Sequence, residues 1–141
     1  MDRASQSPWV VVVADDDDDT RVLMATSFRR AGFDVTEASN GSELLESFAL
    51  QDARRVLVVS DIGMPGMDGI AAAAAVRRAR AETPILLVTA FGDERTLRSA
   101  REAGANKVLL KPLDLPLLLR TATELIASAT SAPPAPPSPK P

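Results

Sequence analysis

Five side chains of chemically useful type stand just after apolar runs. Asp15 and Asp16 follow Val10–Ala14, Asp61 follows Val56–Val59 and Ser60, Thr89 follows Ile85–Val88, and Lys111 follows Val108–Leu110. Two carboxylates about 4 Å apart repel by roughly 4 kcal/mol at an effective dielectric of about 20. Three brought together therefore need a cation to stay ionised. Oxygen-only ligands select a hard ion, Mg2+ before Ca2+, with waters completing an octahedron. A divalent ion beside a carboxylate, a hydroxyl and a lysine is a phosphoryl site. A carboxylate can act as a nucleophile and carry an aspartyl-phosphate, and phosphoryl transfer needs in-line positioning and neutralised phosphoryl oxygens. The ion would take one oxygen, Lys111 a second and the Thr89 hydroxyl a third, with Asp61 the acid best centred to attack. Taken alone, Asp61 could equally be an acid that ends a strand and caps the next turn.

That chemistry requires the five residues to share one end of a sheet, and the chain alternates strand and helix in the way that supplies one. Val10–Ala14, Val56–Val59 and Ile85–Val88 are short, uninterrupted apolar runs, which read as strands buried on both faces. Phe33–Ala38 alternates apolar and polar residues, so it is a half-exposed strand at a sheet edge. Val108–Leu110 is the fifth strand. Between them lie helical patterns. The first begins near Thr20, with Leu23, Met24, Ser27, Phe28 and Ala31 on one face and Gly32 as its stop. The second is opened by an Asn40/Glu43 capping box and runs to about Gln51. The third is Ile70–Ala81, the fourth Asp93–Ala103 closed by Gly104, and the fifth starts at Asp114, tolerates Pro116 in its first turn and ends near Ser128. Five alternations imply an α/β fold, a doubly wound parallel sheet with helices on both faces. One half-exposed strand among buried ones fits the order 2-1-3-4-5, whose ligands collect at the carboxyl ends of the strands near the switch point.

Composition removes several other chemistries. The 141 residues suit one domain, with 45% hydrophobic and 25% charged residues. There is no Cys and no His, so disulfides, thiolate nucleophiles, imidazole metal sites and Ser–His pairs are excluded. The net charge of −3 with no large basic block argues against direct nucleic-acid binding by this chain. Residues 1–8 are polar and read as a disordered N-terminus, and the apolar run after them is too short for a signal sequence or a membrane span. A cytoplasmic location is the expectation. A calcium EF-hand loop starting at Asp15 fails, because Thr20 stands where Gly is needed and Thr26 where Glu is needed. Residues 129–141 form a tail with six prolines between Ser131 and Pro141, expected to be disordered or extended, as a terminus or a linker.

Four segments carry a family resemblance: Val11-Val12-Val13-Ala14-Asp15-Asp16-Asp17; Ser60-Asp61-Ile62-Gly63-Met64-Pro65-Gly66-Met67-Asp68-Gly69; Leu87-Val88-Thr89-Ala90; and Leu110-Lys111-Pro112. Together and in order they resemble the response-regulator receiver domain of bacterial two-component signalling, over about residues 9–128. The resemblance implies a flavodoxin-like (βα)5 fold with Asp61 as phosphoacceptor. It implies that Asp16 and Asp61 bind Mg2+ directly with the Gly63 backbone carbonyl, that Asp15 holds the ion through water, and that Thr89 and Lys111 contact the phosphoryl group. It further implies a cis Lys111–Pro112 peptide and a phosphohistidine donor on a sensor histidine kinase or histidine phosphotransfer protein. The output would be a downstream protein target or a fused output domain, addressed through the surface of the fourth helix, fifth strand and fifth helix. Such a chain assists its own phosphorylation and is not a turnover enzyme.

Two positions depart from the family pattern. Val108 stands where an aromatic residue is usual, which removes the customary aromatic swing coupled to Thr89. Gly63, two residues after Asp61, stands across from bulky Phe91, two after Thr89, so an effect on phosphoryl lifetime is expected without a sign. A Mg2+-dependent phosphatase with an Asp nucleophile is a competing reading, but its second acid would fall at Gly63. A non-phosphorylated interaction module is the other alternative. Asp17–Asp19 read as a solvated helix N-terminus, Asp68 as a loop-shaping residue, Met64 and Met67 as loop packing. Arg95, Arg98 and Arg101 read as a solvated stripe, or more sharply as a docking face.

Overall fold

The computed structural model describes residues 8–51 and 55–131. Residues 1–7 and 132–141, to which most of the expected disordered N-terminus and proline-rich tail belong, lie outside the described residues. The element order is β1 (Trp9–Ala14), α1 (Asp18–Arg30), β2 (Asp34–Ala38), α2 (Gly41–Leu50), β3 (Arg55–Asp61), α3 (Gly69–Ala79), β4 (Ile85–Thr89), α4 (Glu94–Glu102), β5 (Lys107–Leu110) and α5 (Leu115–Ser131). All five strands are parallel and lie in the order β2-β1-β3-β4-β5. The α/β doubly wound reading therefore holds. The fifth helix continues to Ser131, beyond the expected end at Ser128.

Strand alternation divides the core in two. Val12, Ala14, Val56, Val58, Ile85 and Leu87 face one side, under Leu44 and Phe48 of α2, Ala72, Ala73 and Val76 of α3, and Ala100 of α4. Trp9, Val11, Val13, Leu57, Val59, Leu86 and Val88 face the other, under Met24 and Phe28 of α1 and Leu118 and Ala122 of α5. β1 and β4 are buried along their whole length, because each has a helix layer on both faces. α4 is held most lightly, with Ala100 its one buried side chain.

Side chains start most of the helices. Asp17, Asn40, Asp68 and Asp93 each accept a hydrogen bond from the backbone N–H three residues on, and Asp114 accepts from the Leu117 N–H at 3.0 Å. These bonds satisfy amide groups that a helix N-terminus leaves unpaired. α1 starts at Asp18, ahead of the expected Thr20, because Asp17 caps it and Asp18 and Asp19 favour the positive end of its dipole. Its buried face is Met24, Ala25 and Phe28, while Leu23 is 48% exposed and Ala31 lies outside the helix. Gly32 and Gly104 take φ of 100° and 107° after α1 and α4, the left-handed conformation that ends a helix at little cost only for Gly.

Candidate functional site

The strand register brings the five residues to one end of the sheet. Ala14 pairs with Ser60, so the next residues along, Asp15 and Asp61, leave adjacent strands side by side. Asp61 pairs with Val88, and Thr89 follows. Thr89 pairs with Leu110, and Lys111 follows. Asp15 and Asp61 lie level, with Thr89 and then Lys111 each about one step further on, so carboxylates, hydroxyl and amine line the carboxyl edge.

Oxygens of Asp15, Asp16 and Asp61 all lie within 4.8 Å of one another. Lys111 Nζ stands 3.2 Å from Asp15 Oδ2 and 3.1 Å from Asp61 Oδ1. Asp15 is fully buried and Asp61 nearly so, whereas Asp16 is exposed. Burial pushes the Asp61 carboxyl above the usual carboxylate range and the Asp15 charge adds to this, against the opposing pull of Lys111. For Lys111, burial acts to lower the ammonium pKa, but hydrogen bonds and charge from Asp61 and Asp15 outweigh it and hold it above its ordinary value. One ammonium thus faces three acids. The pocket is short of positive charge, and its donors are all oxygen. Such a donor set suits a hard divalent ion such as Mg2+.

The peptides that carry these groups are also fixed. The Asp17 N–H donates to Asp15 Oδ1 at 2.9 Å, and the Asp15 N–H donates to the Ala38 carbonyl at 3.1 Å. Behind Asp61 the chain turns sharply into α3. The Gly69 N–H donates to the Ile62 carbonyl at 2.8 Å, and a β-carbon on Gly69 would collide with the Asp61 carbonyl oxygen and lie 2.9 Å from Ile62 Cα. Only Gly allows this close approach of helix to strand end. Asp68 caps α3 through the Ala71 N–H at 2.8 Å and belongs to the loop, while Met64 is buried in the core. Gly63 is exposed, and a β-carbon there would be 4.0 Å from Asp61 Oδ2 with nothing closer. The Thr89 hydroxyl oxygen accepts from the Phe91 N–H at 2.9 Å, Phe91 itself is 66% exposed, and Lys111–Pro112 is a cis peptide. Val108 is partly buried against the core.

Sequence reasoning missed Arg21. Its Nη1 donates to the Asp15 carbonyl at 3.1 Å and its Nε to Glu37 Oε1 of β2 at 3.2 Å. The only local signal was its place as the first base after five acids. Glu37 is distant in sequence and gave none.

Known proteins share the fold that carries this site. A family model described as the response regulator receiver domain matches residues 11–123. The chain is similar to the regulatory protein AtoC of Escherichia coli K12, 36% identical over 105 residues, covering 74% of this chain and 22% of that protein. It is similar to the transcriptional regulatory protein PdtaR of Mycobacterium tuberculosis H37Rv, 34% identical over 128 residues, covering 90% of this chain and 60% of that protein. The chain thus spans less than two thirds of the length of these curated relatives. Among solved structures, the receiver domain of NtrX from Brucella abortus superposes with a TM-score of 0.76 at 27% identity, covering 84% of this chain and 98% of that one. The chemotaxis protein CheY4 of Vibrio cholerae superposes with a TM-score of 0.74 at 29% identity, covering 82% and 97%. The family model covers most of the chain, and the chain belongs to the response regulator receiver domain family.

Proposed function

We propose that this chain is a phosphorylatable switch in which Asp61 accepts a phosphoryl group from a phosphohistidine of a sensor kinase or phosphotransfer protein. The observation that carries the reading is the pairing of Asp61 Oδ1 with Lys111 at 3.1 Å inside a pocket of three carboxylates. A Mg2+ ion is typical of the family. Asp16, Asp61 and the Gly63 carbonyl would hold it here, with Asp15 reaching it through water, and when bound it supplies neutralising charge for the phosphoryl oxygens.

The chain's own groups divide the remaining work. Asp61 supplies the attacking oxygen: a carboxylate O–P bond forms, the donor's N–P bond breaks, and its electron pair returns to the imidazole nitrogen. Absence of His from this chain agrees with a donor in trans. Lys111 already points at the carboxylate and neutralises charge on the product. The Thr89 hydroxyl keeps its proton to donate, since its oxygen accepts from Phe91 N–H. Turning Thr89 toward a phosphoryl oxygen pulls on that bond and so on the loop into α4. This supports a readout through the α4–β5–α5 face without an aromatic at position 108, where Arg95, Arg98 and Arg101 are exposed. Downstream partners would be a separate protein or a fused output domain. Receiver domains of regulators are generally not metabolic enzymes, and among the described residues no helix is long and apolar enough to cross a membrane.

The test is incubation with Mg2+ and acetyl phosphate. An acid-stable, base-labile adduct on the wild type that is absent from Asp61→Asn is the expected result. No wild-type adduct, or an undiminished one on Asp61→Asn, overturns the reading.

A further inference from the structure

We infer that Arg21 is a positioning residue for the acidic pocket, locking the Asp15–Asp16 peptide so that the Asp16 carboxylate stays turned toward Asp61. The inference rests on the reading above that the pocket takes a divalent cation.

Asp16 poses the problem. Asp15 and Asp61 are buried and share Lys111, but Asp16 is exposed and still keeps its oxygen within 4.8 Å of theirs. Core packing does not hold an exposed side chain there. What is fixed is the backbone on either side of it. The peptide after Asp16 is tied by the Asp17 N–H to Asp15 Oδ1 at 2.9 Å. The peptide before it is tied by the Asp15 carbonyl to Arg21 Nη1 at 3.1 Å. With both flanking peptides held, the direction in which Asp16 leaves the chain is set.

Arg21 is itself immobilised. Its side chain is 15% exposed, and its Nε–Glu37 Oε1 pair, 3.2 Å, reaches across to β2. The other Glu37 oxygen is gripped by Arg29 Nη1 at 3.0 Å. Arg21 also meets Asp18 at 2.8 Å, but the Asp18 side chain is 81% exposed, and such pairs contribute little. Glu37 is therefore the anchor, and the planar fork of Arg21 joins it to the Asp15 carbonyl in one rigid group.

Charge and position make opposite predictions, which makes the inference testable. By charge alone, removing a cation beside the pocket tightens the binding of a divalent ion. By position, removing the fork weakens it. Mg2+ titration calorimetry on the full chain measures this. Arg21→Ala is expected to weaken Mg2+ binding about tenfold, the lower end of what losing a ligand-orienting partner costs. Arg21→Lys keeps the charge but cannot hold both acceptors from one planar group, so it is expected to recover thermal stability and not Mg2+ affinity. Glu37→Ala is expected to weaken binding less, and to add nothing on the Arg21→Ala background, because it acts through Arg21. Amide exchange at Asp16 in metal-free protein is expected to quicken in Arg21→Ala.

Unchanged or tighter Mg2+ binding in Arg21→Ala, or full recovery of affinity in Arg21→Lys, overturns the positioning role while leaving the cation reading intact. A wild type that binds no Mg2+ overturns that reading and this inference with it. Should Arg21→Ala not fold, the Arg21→Lys affinity decides.

Discussion

Lys111 and Asp61 face each other at 3.1 Å across a strand that belongs to neither. β4 lies between β3 and β5, and the lysine reaches over its end to meet two acids. Those acids outnumber the lysine, and the imbalance governs how the metal-free domain responds to change.

Lys111→Met leaves Asp15 and Asp61 together without a counter-charge. Removing one partner of a buried charged pair costs about 1–3 kcal/mol or more. The expected outcome is a fall in Tm of several degrees in chelator, with part of the loss recovered on adding Mg2+. Thermal melts of both proteins with and without the ion check it; a variant as stable as wild type in chelator contradicts it.

Asp61→Asn is expected to act in the opposite sense. Burial and the Asp15 charge raise the folded-state pKa of Asp61 above its unfolded value. The native state then holds a proton that the unfolded chain has released, so stability is greatest below the ordinary carboxylate range and falls as pH rises through the folded value. The Asn variant lacks this loss. In chelator at neutral pH it should melt a few degrees higher, the size that about 1 kcal/mol produces in a domain of this length. The gap should close toward acid pH and on adding Mg2+. A variant that melts lower than wild type at neutral pH reverses the sign.

Lys111 and Asp61 both stand at strand ends, where sequence was informative. Apolar runs identified β1, β3 and β4, and the polar residues after them identified the site, because burial on both faces leaves a readable signature and the strand ends follow from it. The phase of α1 was not readable: Val22-Leu23-Met24-Ala25 is apolar without a break, and only packing against β1 and β2 selects Met24 and Ala25 while leaving Leu23 in solvent. The second helix begins with Asn40 as foreseen, but Glu43 reaches back to the Ser39 N–H at 2.8 Å, one residue earlier than a standard capping box. Contacts such as Arg21–Glu37 join residues far apart in the chain and leave no local pattern.

Gly69→Ala tests the tight turn behind Asp61. The added methyl meets the Asp61 carbonyl and Ile62 Cα, both backbone, so the strand end or α3 must shift. Overpacking of this kind costs about 1–3 kcal/mol. Mg2+ affinity should fall alongside Tm, because the displaced backbone carries Asp61. Unaltered affinity would show that the strand end did not move.

Asn106→Ala separates fold from site. Asn106 Oδ1 accepts from the Ile85 N–H at 2.7 Å and from Arg77 Nη2 at 3.1 Å, at the end of the sheet away from the pocket. Leaving the Ile85 N–H unpaired costs about 1–3 kcal/mol. Tm should fall while Mg2+ binding stays within twofold of wild type.

Gly63→Leu gives a sign to the expected effect on phosphoryl lifetime. Gly63 sits open beside Asp61 Oδ2, so a bulky side chain there screens the acyl phosphate from water. A barrier raised by about 1 kcal/mol slows hydrolysis about fivefold. Decay of the labelled adduct after donor removal measures it; faster decay contradicts it.

The light anchoring of α4 by Ala100 sets an energy scale for signalling. Withdrawing one alanine methyl from the core costs on the order of 0.8 kcal/mol, whereas a hydrogen bond to a charged group contributes about 1.5–3 kcal/mol. One such bond gained at Thr89 is enough to change the population of α4 positions by roughly tenfold to a hundredfold. The helix that gives up least by moving is also the one joined to Thr89 through the Phe91 amide, so under the proposed phosphorylation a single new contact would redistribute surface shapes without disturbing the sheet.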